Sequence, residues 1–164
     1  MLFRSDIEIE ALHLARPESV KAVQRRNDYR VSVPSESGIT FRFYRVSERD
    51  DLSGPPSATS AMVVDVRDFS AGGLGGTWRR RADEPPRLVA DQRLRVDIDS
   101  PQGKLTLDAR VRFLQMLPDP DLQRVGVQFA LNPNNLQDRQ RMTILNKVMG
   151  ELQRMELRRK KLAR

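Results

Sequence analysis

The chain has 164 residues, 38% of them hydrophobic and 31% charged, which is enough for one modest core with an appendage and too little for two full domains. The absence of cysteine, with His13 the only histidine, excludes a disulfide framework, a thiol nucleophile, a thiolate metal site and imidazole-centred catalysis. The net charge of +7 is local: nine Lys or Arg and two Glu lie from Arg139 onward, and the remaining basic and acidic residues cancel.

In chain order, Asp6 to Leu14 alternates polar and apolar side chains as a half-buried strand does, and Pro17 ends it. The first residues, Met1 to Asp6, lack a signal-peptide core, and no apolar run is long enough to span a bilayer, so a cytoplasmic protein is expected. Glu18 to Gln24 then leads into Arg25, Arg26 and Arg30. Arg26 and Arg30 stand four residues apart just ahead of an expected strand, so permanent cations with forked donors can converge on phosphate oxygens or a guanine edge.

Short strands are expected at Tyr29 to Val33, Gly38 to Val46, Ala61 to Phe69, Arg93 to Asp99, Lys104 to Leu117 and Gln123 to Ala130. Turn signals such as Pro34-Ser35-Glu36-Ser37-Gly38 and Ser100-Pro101-Gln102-Gly103 separate them. The pattern predicts a mainly β fold, a six-stranded antiparallel β-barrel whose interior holds most of Phe41, Phe43, Val111, Phe113 and Phe129. Ser47 to Ser60 and Thr77 to Gln92, polar and proline-bearing, read as surface loops.

The third strand runs into Asp68-Phe69-Ser70-Ala71-Gly72-Gly73, a polar turn ending in glycines that let the backbone approach a ligand. Asp68 can accept two parallel hydrogen bonds from the N1 and N2 donors of guanine, a pair adenine lacks. Asp68 and Ser70 can equally serve only the turn, since both residue types bond local backbone. The glycines do not form a nucleotide-hydrolase loop, because the Gly-Lys-Ser/Thr ending and following helix are missing. Trp78 reads as packing rather than a stacking platform.

After Asn132-Pro133-Asn134-Asn135, Leu136, Met142, Leu145, Met149, Leu152 and Met155 recur at helical spacing, predicting a long C-terminal α-helix of about 25 residues with a cap at its start. Its excess length can project as a dimerising coil or stay a solvated basic end, Arg158 to Lys161. The helix carries no interleaved aromatics, which argues against nucleic acid.

An RxxxR pair followed about forty residues later by a D-x-S-x-x-G turn, with Gly126-Val127-Gln128-Phe129 as a G-x-x-F closing strand, resembles the PilZ domain, the bacterial receptor module for cyclic di-GMP. The resemblance implies a non-enzymatic receptor without a cofactor, its ligand held by Arg25, Arg26, Arg30, Asp68, Ser70, Gly72 and Gly73. An arginine at position 25 further implies two intercalated ligands per chain. The order strand, Pro17, linker and arginine motif resembles the end of the N-terminal domain in flagellar-brake members. That divides the chain into a remnant of that domain (1–23), the barrel (24–133) and the helix (134–164). The implied output is a conformational change acting on an unidentified protein target in motility, exopolysaccharide or biofilm control. The alternative is a ligand-independent adaptor that self-associates, or docks an acidic partner, through the basic helix.

Overall fold

The computed structural model describes residues 29–56, 61–81 and 87–162. The expected strand at Asp6 to Leu14, and with it His13, Arg25 and Arg26, lies outside them. Seven strands form one antiparallel sheet: β1 (Val31–Ser32), β2 (Thr40–Arg45), β3 (Val64–Ser70), β4 (Gly73–Arg79), β5 (Arg93–Ser100), β6 (Gly103–Met116) and β7 (Leu122–Phe129). Their spatial order is β1-β3-β4-β7-β6-β5-β2. Met62 N donates to Phe43 O at 2.8 Å just ahead of β3, and this isolated bridge draws β2 back toward β3 so that the sheet curls into a partly closed barrel.

The count differs from the six strands expected, because β4 runs through Gly73-Leu74-Gly75-Gly76-Thr77-Trp78-Arg79. Glycines there leave no alternation to read, and β-propensity is low. The expected loop at Thr77 to Gln92 is corrected with it: Thr77–Arg79 is sheet, and Trp78 and Leu88 are buried. Trp78 is core, with the Arg45 guanidinium 5.4 Å from its ring centroid. The Ser47 segment is on the surface but tied down. Arg93 Nη1 donates to the carbonyls of Ser47, Glu48 and Asp50 at 2.8, 3.0 and 3.1 Å, and Arg95 donates to that of Gly54.

Strand alternation turns Leu94, Val96 and Ile98 of β5, Leu105, Leu107, Ala109 and Val111 of β6, and Val125, Val127 and Phe129 of β7 into one buried cluster. The Phe69 ring sits 5.8 Å from Phe41 and 6.1 Å from Phe129, in tilted contacts that add about 1 kcal/mol each beyond burial. Of the expected interior residues, Phe43, Val111 and Phe129 are buried and Phe41 packs against the cluster, but Phe113 does not. A bulge between Val111 and Phe113 slips the alternation by one, and Phe113 emerges 51% exposed on the outer face.

Helix α1 spans Leu136–Leu162, 27 residues. The Asn135 side-chain carbonyl accepts the N–H groups of Gln137 and Asp138 at 2.8 and 3.3 Å and so caps its start. Leu145, Val148, Met149 and Leu152 bury against β1 and β6, whereas Leu136 at the start and Leu157 and Leu162 at the end are exposed. Arg159, near the basic end, lies 3.5 Å from Glu36 in the turn after β1. Among the described residues, no helix is long and apolar enough to cross a membrane.

Candidate functional site

Two sequence segments far apart in the chain meet in one ion pair. Arg30 Nη1 donates to Asp68 Oδ1 at 2.6 Å across 38 residues, because β1 pairs with β3 in the register Val31↔Phe69. That register leaves Phe69 in the core and directs Asp68 outward. The side chains are 39% and 38% exposed, so the pair is open to solvent and to exchange with a ligand. Among the described residues Arg30 makes this one side-chain contact, leaving most of its forked donors available.

Beyond Asp68 the chain reverses through Ala71 and Gly72 into β4, with Ser70 opposite Gly73. Ser70 is 4% exposed and its hydroxyl donates to the Gly73 carbonyl at 3.0 Å, so here it holds the hairpin shut. Phe129 N donates to the Gly72 carbonyl at 2.9 Å, fastening the turn to the end of β7. Neither Gly72 nor Gly73 has a positive φ. Gly73 is required for another reason: a Cβ there would collide with the Val127 carbonyl of the paired strand. The glycine thus serves the approach of β4 to β7, rather than the bend that the sequence pattern suggests.

The Arg30–Asp68 pair stands at the rim of a cleft of about 480 Å³ on the outer face of the sheet. Its floor is a row of directly paired residues crossing four strands: Asp68 on β3, Gly75 on β4, Gly126 on β7 and Phe113 on β6. The two central glycines leave backbone bare. A Cβ on Gly75 would lie 2.7 Å from Asp68 Oδ2, and one on Gly126 would lie 3.2 Å from the Phe113 Cβ. Asp68 and Phe113 therefore lean over a trough rather than over side chains. Bulges flank both ends, between Val66 and Asp68 and between Val111 and Phe113, and each re-aims the residue beside it. Arg67 and Arg124 also line the cleft. No sequence motif marks Phe113, Arg67 or Arg124; the available signal was the adjacency of Arg67 to Asp68 and of Arg124 to the Gly126 motif.

The sequence matches the PilZ domain family over residues 24–147, well over half of the chain. The chain belongs to the PilZ family. Its fold is similar to that of Escherichia coli YcgR crystallised with c-di-GMP, at a TM-score of 0.55 and 21% identity over 87% of this chain and 52% of that one. The PilZ domain of YcgR with c-di-GMP gives 0.55 and 20% identity, covering 84% of this chain and 98% of that domain. The K. pneumonia MrkH–c-di-GMP complex gives 0.54 and 21%, covering 84% and 56%. This chain thus spans about half the length of the larger YcgR and MrkH structures. Comparison with curated proteins returned no match.

Of the site residues expected from sequence, the PilZ fold brings Arg30, Asp68, Ser70, Gly72 and Gly73 to one end of the β3–β4 hairpin. Arg30 and Asp68 face the cleft, while Ser70 and the glycines shape the turn beside it. Arg25 and Arg26 lie outside the described residues.

Proposed function

We propose that this chain is a receptor for cyclic di-GMP, with Arg25, Arg26 and Arg30 as a cationic arm and Asp68, Ser70, Gly72 and Gly73 as the turn that meets a guanine. Membership of the PilZ family supports the reading, as does likeness of fold to YcgR and MrkH, both solved with c-di-GMP. The observation that carries it is the exposed Arg30–Asp68 contact, which joins the two motifs at the mouth of a cleft. Paired as they are, the two side chains neutralise each other. When guanine arrives, its N1–H and N2–H donate in parallel to the Asp68 carboxylate, and Arg30 is released to phosphate oxygens or to the guanine O6/N7 edge. Adenine has no such donor pair, so it would leave the carboxylate unpaired at a penalty of about 1 to 3 kcal/mol.

Binding, not turnover, is the output in this reading. Arg25 and Arg26 close over a ligand that supplies countercharge, and β1, which follows the arm directly and packs against α1, carries the change to the helix. The same proposal includes two intercalated ligands per chain, a protein target in the flagellar motor or polysaccharide machinery, and a homodimer through the exposed Leu157–Leu162 end of α1. It also includes the division into an N-terminal remnant (1–23), barrel (24–133) and helix (134–164). Calorimetric titration with cyclic di-GMP tests it: saturable binding at two ligands per chain, lost in Arg26→Ala, is expected. No heat from the intact chain would overturn the receptor reading, and one ligand per chain would overturn the stoichiometry.

A further inference from the structure

The two ends of the glycine trough are chemically different, and the sequence motifs account for only one of them. At one end stand Arg30 and Asp68. At the other, Phe113 is 51% exposed on the cleft wall, at a position where the Arg112 bulge turns it out of the core. Four strands at about 4.8 Å spacing place Asp68 and Phe113 roughly 14 Å apart, longer than one purine. Between them lie only Gly75 and Gly126.

Two cations flank this floor. Arg67 is the extra residue of the β3 bulge, and its side chain's ion-pair partner among the described residues, Asp65, is 3.9 Å away with both side chains well exposed. Arg124 on β7 is exposed and makes no ion pair among the described residues. The neighbouring arginines outside the cleft are engaged: Arg110 with Glu48, Arg112 with Asp91 and Gln128. An unengaged arginine beside a bare backbone floor and an outward-turned phenylalanine is the combination that holds a base by stacking and its phosphate by charge.

We propose that Phe113, Arg124 and Arg67 form a second base-and-phosphate subsite at the far end of the trough, built on the sheet itself and independent of the arginine arm. It takes the nucleotide unit of the dinucleotide remote from Asp68: Phe113 packs against the purine face, and Arg124 and Arg67 donate to the phosphodiester. The glycines keep both units low enough to touch the sheet. This subsite rests on the receptor reading above and adds residues to it.

The test is calorimetric titration of the full chain with cyclic di-GMP, comparing wild type with Phe113→Ala, Phe113→Trp, Arg124→Gln and, as a basic residue outside the cleft, Arg79→Gln. Loss of a charged phosphate contact is expected to weaken binding about tenfold in Arg124→Gln, and loss of a stacking face to weaken it at least about fivefold in Phe113→Ala. Phe113→Trp should restore affinity, which a merely structural role at an exposed position would not require, and Arg79→Gln should bind as wild type. Thermal melts matching wild type exclude misfolding as the cause. Wild-type affinity in both Phe113→Ala and Arg124→Gln overturns the subsite and leaves the receptor reading standing. No binding by the wild-type chain overturns both.

Discussion

Two arginine–aspartate pairs sit on opposite parts of the sheet and are used in opposite ways. Arg93 on β5 reaches Asp108 on β6 through Nε at 3.0 and 3.1 Å and through Nη2 at 3.0 Å, while Nη1 bonds three carbonyls of the Ser47 segment. Its side chain is 12% exposed, and the carboxylate beside it raises its pKa above the ordinary arginine value. Arg30 and Asp68 share a single 2.6 Å contact at three times that exposure. A guanidinium with all three nitrogens engaged fastens a loop, and one with nitrogens to spare can hand its carboxylate to a ligand. Charge pairing alone does not distinguish structure from site; the count of unused donors does.

Substitution should separate the two pairs sharply. Arg93→Ala leaves Asp108 without its partner and three carbonyls without a donor, and should lower unfolding free energy by about 3 kcal/mol in chemical denaturation, with affinity for cyclic di-GMP unchanged. An effect under about 1 kcal/mol would mean that the Ser47 segment holds itself. Gly73→Ala, forced against the Val127 carbonyl, should cost about 2 kcal/mol by overpacking and displace the turn carrying Asp68, so stability and binding fall together. Retention of both would show that β4 and β7 can part without consequence.

Asp68→Ala is the converse of Arg93→Ala. An exposed single-contact pair contributes at most about 1 kcal/mol, so the melting curve should barely move while ligand affinity falls roughly a hundredfold. A large loss of stability would instead make the pair a fastener like Arg93–Asp108. The smallest effect concerns acid. The Asn132 N–H and, after it, Arg141 hold the Asp138 carboxyl below the ordinary aspartate value. Because its folded-state pKa is depressed, its contribution is present above the ordinary value and is lost as pH falls through the folded one. Asp138→Asn should therefore narrow the stability difference between neutral pH and about pH 3 by up to about 1 kcal/mol; an unchanged difference would remove Asp138 as the anchor of the helix start.

The legible parts of this molecule are those where one residue type does one job. β5 alternates apolar residues with Arg and Asp because one face packs in the core and the other carries the polar contacts to the Ser47 segment, β7 turns Val125, Val127 and Phe129 inward and Arg124 and Gln128 outward, and α1 shows its apolar spacing and Asn135 cap. β4 was not legible, since its glycines serve close approach to β7 and to Asp68 and leave no pattern. The alternation of β6 points Phe113 to the interior, and a single bulge, invisible in sequence, reverses the faces beyond it. At the site, Arg30 and Asp68 were readable from their motifs. The trough and its cations were not, because they arise from pairing among four strands that no local window spans.

The central claim is that Asp68 exchanges Arg30 for the donor edge of a guanine. Parallel calorimetric titrations of the intact chain with cyclic di-GMP and cyclic di-AMP test it most directly. Saturable binding of the guanine dinucleotide, with the adenine one weaker by at least about tenfold, is the predicted result. Equal affinity for the two would contradict the account, because it would mean that the cleft holds phosphate without reading the base.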